Sequence, residues 1–405
     1  MDPREDEPAR EVRAGIRLIQ NRLTHLECAR CGHAHDANVV QNRCDCGGTL
    51  LVRYDLSRPI DLAVVRRRPA GIWRYRELLP NRDEPVSLQE AATPLLFAPQ
   101  LSERFGLDIF VKDESQLPGG TFKARGAAVG LSRARELGIK EAVMPSAGNA
   151  GGSWALYAAR AGLSLTVTMA RTAPQMNQLE VEMAGATLEL VDGTIADAAR
   201  RAREIAAETG AFMAATFNEP YRVEGKKTAW LETFDQFGDG SSMRIPHTII
   251  APVGGGVAAV AAAKAADEVR ALGWTDDPPP RLIGVQPEDV APIVAAFERG
   301  DDEVEPWRGD AMTVASGLRV PAPSEGWLVL REVRASGGRM LAASEDDIVA
   351  AVGTLASSEG IFACPEGAAT LVALERLAAE GDIEGPVVLY NTGAGAKYAV
   401  ELARR

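Results

Sequence analysis

PGGTFKARG, residues 118–126, sets a lysine directly behind a glycine turn and at the opening of a helical pattern. Pro118, Gly119 and Gly120 make the turn, and the helical spacing runs from Phe122 onward. An amine at a helix start, near the positive end of the dipole, should be partly discharged and therefore more nucleophilic. Lysine is scarce in this chain, occurring only at Lys112, Lys123, Lys140, Lys226, Lys227, Lys264 and Lys397 beside abundant arginine, so its placement at 123 is informative. Taken alone, it reads more readily as a solvated helix residue than as a functional one.

Outward from that turn, short β-branched or apolar runs alternate with longer Ala/Leu/Arg helical patterns, the signature of βαβ units in a parallel sheet. Strands are expected at DIFVKDE (108–114), EAVMPSA (141–147), SLTVTMA (164–170), ATLELVD (186–192), HTIIAPVG (247–254), RLIGVQP (281–287) and PVVLYNTG (386–393). Three of them run into glycine-bearing turns, PSAGNAGG (145–152), PVGGG (252–256) and NTGAG (391–395). Ligands of open α/β sheets bind beyond the carboxyl ends of strands, so these turns could face one cleft. The span 257–345 carries loops such as DDPPP (276–280) that no pattern places.

Each turn offers a different donor. PVGGG followed by VAAVAAAKAADEVR is a strand, a glycine turn and a helix, which presents free backbone amides and a helix dipole to a phosphate. PSAGN leaves Ser146 and Asn149 before a helix: Asn149 offers an amide to a phenolate oxygen, and Ser146 with its neighbours can hold a carboxylate. NTG delivers Thr392, whose hydroxyl can pair with a pyridine nitrogen while leaving it unprotonated. Every one of these turns also has an ordinary explanation as a tight turn or a helix cap.

Taken together and in this order, Lys123 in its glycine turn, SAGN, GGG and NTG resemble the tryptophan-synthase-like, or fold type II, pyridoxal-phosphate enzymes, and more closely the threonine synthase family. The likeness runs from WRYRELLP (73–80) to the C-terminus and includes ATPLL (92–96), VKDES (111–115), VEGKKTAW (223–230) and EGIFACPEGAATL (359–371). It implies two open twisted-sheet α/β lobes with pyridoxal 5′-phosphate in the cleft, plus a small N-terminal knuckle similar to a zinc ribbon. The implied divisions are residues 1–60 for the knuckle segment, 61–93 with 226–405 for a large lobe, and 94–225 for a small one.

For the site, the resemblance implies Lys123 as the cofactor-bearing lysine with Phe122 beside the ring and Asn149 at the 3′ oxygen. It places Gly254, Gly255, Gly256, Val257 and Ala258 around the phosphate and Thr392 at the ring nitrogen. Ser146, Ala147 and Gly148 would receive a substrate carboxylate. Threonine synthase converts O-phosphohomoserine and water to threonine and phosphate, so cations are also needed, and Asn218, Arg222, Lys226 and Lys227 in FNEPYRVEGKK (217–227) are the candidates. One position departs from the family pattern: Ala394 stands in TGAGAKY (392–398) where many threonine synthases carry histidine. This leaves open a serine or threonine dehydratase, or a β-replacement enzyme of the cysteate synthase type. A non-catalytic binding protein on the same fold is the remaining alternative, opposed by the retention of Lys123, Asn149, the glycine turn and Thr392.

Cys28, Cys31, Cys44 and Cys46 pair as Cys-x-x-Cys and Cys-x-Cys, each pair followed by glycine, a set able to supply four thiolates to structural zinc, with a metal-free remnant as the alternative. Five cysteines in 405 residues suit a reducing compartment better than a disulfide-stapled fold. The net charge of −12 is spread along the chain without a basic, aromatic-laced run, which argues against nucleic acid. No apolar stretch is long enough to span a membrane, and the charged opening MDPREDEPAREVR lacks a secretory core. A cytoplasmic enzyme is expected, and the family resemblance suggests a homodimer.

Overall fold

The computed structural model describes residues 22–309 and 311–404; the opening MDPREDEPAREVR lies outside them. All seven expected strands form, together with several that the sequence did not announce. An N-terminal antiparallel ribbon is built from β1 (Leu23–Cys28), β2 (Ala34–His35) and β3 (Leu50–Tyr54) in the order β2-β1-β3. Then come β4 (Leu95–Phe97), β5 (Ile109–Asp113), β6 (Glu141–Pro145), β7 (Ser164–Ala170), β8 (Thr187–Val191) and β9 (Phe212–Met213). The chain continues through β10 (Thr248–Pro252), β11 (Arg281–Pro287), β12 (Arg339–Ala343) and β13 (Val387–Asn391).

These strands form two larger sheets. Six strands run in the order β12-β11-β10-β13-β5-β4, parallel except for the β4–β5 pair. Four run in the order β8-β7-β6-β9, all parallel. Most strands of the larger sheet are buried on both faces, as in the BBBBB pattern of β10 and β13, which explains their continuous Val/Ile/Leu text.

One boundary differs from the sequence reading. The stretches at β4 and β5 fall inside the expected small lobe of 94–225, yet they pair in the six-stranded sheet. Ile109 and Val111 pack with Ile250, Val387 and Leu389 in one apolar cluster, so burial draws β5 against β13. WRYRELLP, where the family likeness begins, falls on a 3-10 segment over Ile72–Leu78 with Ile72, Tyr75 and Leu78 buried.

The helix that begins at Lys123 runs to Glu136 and is fixed by the next arginine along it. Arg125 is fully buried and spreads its guanidinium over two carboxylates: Nε donates to Glu114 at 2.6 Å, and Nη1 and Nη2 donate to the two oxygens of Glu232 at 2.8 and 2.7 Å. Thr93 and Thr228 take further N–H groups at 3.0 and 2.9 Å, and Lys112 joins Glu232 at 3.1 Å. Burial opposes ionisation at Glu232, but Arg125 and Lys112 overcome it and hold that carboxyl below its usual value. This network ties the Lys123 helix to β5 and to the Tyr221–Phe237 helix. Gly225 completes the fit, since a Cβ there would stand 2.0 Å from the Arg125 carbonyl oxygen.

Removing one member of such a network strands the others without counter-charge. Arg125→Ala should lose about 3–5 kcal/mol of stability in denaturant unfolding, whereas Arg30→Ala, which breaks an exposed pair with Glu303, should shift it by less than about 1 kcal/mol.

Candidate active site

The carboxyl ends of β6, β10 and β13 open onto one cavity of about 350 Å³, lined from all three by Pro145, Pro252 and Thr392. The three glycine-bearing turns thus do face one cleft. Lys123 is the first residue of its helix, and its ammonium sits 4.0 Å from the centre of the Phe122 ring. Burial lowers the Lys123 pKa to about 8, with the Glu366 carboxylate opposing the shift and Arg222 adding to it. The shift has the direction the sequence suggested, but burial, not the helix dipole, is its largest cause. Phe122 is itself buried and meets Tyr390 edge-on at 5.6 Å.

Opposite, the Val257–Ala271 helix points its first turn into the cavity behind Gly254, Gly255 and Gly256, with Val257 and Ala258 also lining the wall. The glycines are required by space and by backbone shape. Gly256 has φ +81°, and a Cβ there would fall 2.1 Å from a Val329 methyl; at Gly254 it would fall 2.7 Å from the Gly317 carbonyl oxygen. Nothing but bare peptide therefore faces the cavity there, and the helix dipole favours an anion.

The Asn149–Ala161 helix presents a second N-terminus, preceded by Ser146, Ala147 and Gly148, all of which line the cavity. The Ser146 hydroxyl accepts from Gly151 N at 2.9 Å and donates to Gly148 O at 2.9 Å, which shapes the turn. Asn149 donates to the Tyr398 hydroxyl at 2.9 Å, and Tyr398 in turn donates to Glu366 at 2.6 Å. The Asn149 Oδ1 atom is buried with no hydrogen-bond partner among the described residues. The Thr392 hydroxyl lies 3.4 Å from the Cys364 sulfur.

The cations divide. Arg222 is buried and commits its fork to Glu219, to the Ala214 carbonyl and to Thr216 at 3.0 Å, with its plane 4.8 Å from the Trp154 ring. Lys226 lies 4.5 Å from the Phe122 ring, and no hydrogen bond or ion pair to it is found among the described residues. Burial first, then Lys123 and Arg222, depress its pKa well below the ordinary value. Lys227, expected beside it, points elsewhere: it pairs with Glu224 at 2.5 Å and Glu268 at 2.7 Å, outside the cavity. In that position it braces the ribbon, because Glu224 also accepts from Tyr54 at 2.8 Å.

Arg319, Arg43 and Glu366 are among the cavity-wall side chains that the sequence reading did not single out. Arg319 sits in SGLRVP (316–321), in the span that no pattern placed, and its half-buried guanidinium has no hydrogen bond or ion pair among the described residues. Burial alone lowers its pKa. Arg43, next to Cys44, reaches the wall from the knuckle, and Glu366 comes from CPEGAATL. No local pattern marks Arg319, whereas the neighbouring cysteine is a signal that could have drawn attention to Arg43.

Fold and site define a two-sheet α/β enzyme whose cleft combines one discharged amine with a peptide cradle for a phosphate. The model of the family described as pyridoxal-phosphate dependent enzyme matches residues 86–393. The threonine synthase of Methanocaldococcus jannaschii is 33% identical over 379 residues, covering 91% of this chain and 92% of that protein. The threonine synthase of Mycobacterium leprae is 34% identical over 334 residues, covering 81% and 89%. Among solved structures, the processed threonine deaminase isoform 2 of Solanum lycopersicum aligns with a TM-score of 0.64 at 23% identity, over 77% of this chain and 87% of that one. Diaminopropionate ammonia lyase of Escherichia coli gives 0.65 at 20%, over 79% and 88%; these two are likenesses of fold. The chain belongs to the pyridoxal-phosphate-dependent enzyme family.

The residues present fit that cofactor. An amine for its aldehyde, a glycine-backed helix start for its phosphate and the buried Asn149 amide, whose NH2 carries a second N–H beyond the one given to Tyr398, surround one cavity. Only the neutral amine attacks an aldehyde, so the rate at which apoprotein captures the cofactor should rise with pH and reach its midpoint near 8, against 10.5 for an ordinary lysine. Stopped-flow absorbance across that range checks it. Lys123→Ala should keep the native circular dichroism and form no borohydride-reducible adduct.

Proposed function

We propose that this chain is a threonine synthase, converting O-phosphohomoserine and water to threonine and phosphate. The observation that carries the reading is a cavity with two separate provisions for anions. The glycine-backed helix start suits the cofactor's phosphate, while the Arg319 guanidinium and the Lys226 amine remain without a hydrogen-bonding or ion-pair partner among the described residues of the same wall. A substrate with its own phosphate supplies what they lack. The threonine synthase relatives, which match over most of the chain, support the same choice.

In this reading the cofactor, held by Lys123 with Phe122 beside its ring, supplies an electron sink for the substrate's α carbon. Gly254 through Ala258 receive its phosphate, Asn149 its 3′ oxygen, and the Thr392 hydroxyl leaves its ring nitrogen unprotonated. Lys123, freed by the incoming substrate amine, removes the α proton and returns protons further along the chain, work suited to a pKa near 8. Ser146, Ala147 and Gly148, at a helix N-terminus, orient the substrate carboxylate. Arg319 and Lys226 hold the γ-phosphate until it leaves, and Lys226 gains charge as the anion arrives, since a nearby dianion reverses the effect of burial. Arg222, already engaged with Glu219, backs them with its remaining N–H groups. Asn218 completes the wall.

Among the described residues no helix is long and apolar enough to cross a membrane. A cytoplasmic homodimer is the assembly we propose, and sedimentation velocity measures the oligomer.

Phosphate release from O-phosphohomoserine, with threonine identified as product, tests the activity beside serine, threonine and O-phosphoserine. Ammonia and a keto acid from serine or threonine, with no phosphate released from O-phosphohomoserine, would replace this reading by a dehydratase. Arg319→Ala should raise KM for O-phosphohomoserine by about 10- to 100-fold, the value of a charged hydrogen bond, with cofactor content unchanged.

A further inference from the structure

The N-terminal knuckle stands close to the wall where the substrate is placed, and its four sulfurs are already arranged for a metal. Cys28 and Cys46 lie 3.5 Å apart, Cys31 and Cys46 3.5 Å, and Cys31 and Cys44 3.7 Å, with all four within 4.8 Å of one another. Tetrahedral zinc with Zn–S bonds of about 2.3 Å sets its sulfurs roughly 3.8 Å apart along each edge. A disulfide needs about 2.05 Å, and all four are free thiols. Four thiolates leave no open coordination position, so such a metal shapes the chain and performs no chemistry of its own.

What it shapes is visible in three contacts. Asn42, two residues before Cys44, donates its amide to the carbonyl oxygens of Met213 at 2.9 Å and Asn218 at 2.7 Å. Thr49, three residues after Cys46, donates to the Phe217 carbonyl at 2.8 Å. Arg43 donates Nε to the side-chain oxygen of Asn218 at 3.1 Å and pairs with the buried Glu325 at 2.6 Å. The segment so gripped is strained: Phe217 is a buried, non-glycine residue at φ +57°, a conformation that persists only where its surroundings impose it. The grip also orients a functional group. With its oxygen taken by Arg43, Asn218 has its NH2 end left to donate into the cavity that it lines.

We propose that the four cysteines bind one zinc ion, and that the metal-set knuckle positions the 213–218 wall of the substrate cavity through Asn42, Arg43 and Thr49. The function of that wall rests on the phosphorylated-substrate reading above, whereas the metal and its mechanical link do not. Arg43 acts here through Asn218 and is a positioning residue.

The test uses the holoenzyme purified without chelator. Elemental analysis should find one zinc per chain, and cobalt exchanged into the site should show the charge-transfer and d–d bands of a tetrahedral tetrathiolate. Less than half an equivalent, iron in place of zinc, or cobalt spectra without sulfur bands overturns the metal assignment. Stripping zinc from wild-type enzyme with a mercurial and a chelator should leave the cofactor absorbance intact and raise KM about tenfold, and added zinc should restore it. Asn42→Ala and Thr49→Val, neither of which lines the cavity, should keep full zinc and cofactor yet bind inorganic phosphate about tenfold more weakly, as read by tryptophan fluorescence. Unchanged phosphate affinity in both variants overturns the positioning role. Because phosphate binding is measured without turnover, failure of this link is separate from failure of the proposed reaction.

Discussion

Arg125 is the fixed point of this molecule. Its guanidinium, out of contact with water, joins Glu114 at the end of β5 to Glu232 on the Tyr221–Phe237 helix. The larger sheet, the Tyr221–Phe237 helix and the helix of Lys123 meet there, Lys123 being only two residues away on the same helix as Arg125. An isolated charge at that depth would be expelled or neutralised, but a planar fork over two carboxylates satisfies nearly every donor at once. The arrangement has one solution, and that solution sets the direction in which the Lys123 side chain leaves its helix. The Tyr221–Phe237 helix, locked by the same arginine and by the close approach at Gly225, carries Arg222 and Lys226 to the cavity from the other side.

This explains how far the sequence could be read. Strands such as SLTVTMA and RLIGVQP were legible to the residue because largely buried strands concentrate β-branched and apolar residues into short runs. The glycine turns were legible because a glycine run stands out in the text, and close packing requires it: a Cβ at Gly256 or Gly254 would collide with Val329 or the Gly317 carbonyl oxygen. The strand Arg339–Ala343 was missed: RMLAA is short and Ala-rich, and β11 and neighbouring helices, not its own pattern, make it a strand. The placement of Ile109–Asp113 in the larger sheet was hidden for a similar reason, since pairing with β13, nearly three hundred residues on, has no local mark.

Lys226 and Lys227, named together from the sequence, part company in the fold: Lys226 lines the cavity and Lys227 does not. Adjacent residues on a helix project about 100° apart, so one lysine can enter the cavity while the next meets Glu224 and Glu268. A sequence names both, and only the direction of the helix face decides between them. Arg319 is the converse case: it lies in a loop without periodicity, and what marks it is the lack of any carboxylate nearby, a property of the assembled fold.

Charge in the cavity then acquires a direction. Lys123 and Lys226 lie 4.0 and 4.5 Å from the centre of the Phe122 ring, and burial first, then the nearby Lys123, lowers the readiness of Lys226 to hold a proton. Glu366 and Glu219 answer part of this, but Glu219 is spent on Arg222 and Glu366 on Tyr398 and the Gly317 amide. An apolar ligand would leave the remaining cations desolvated, and a neutral amino acid would satisfy the carboxylate site alone. A ligand bearing a further dianion lets Lys226 and Arg319 take their charged, paired forms, so the gain is largest for the substrate whose leaving group is itself that anion.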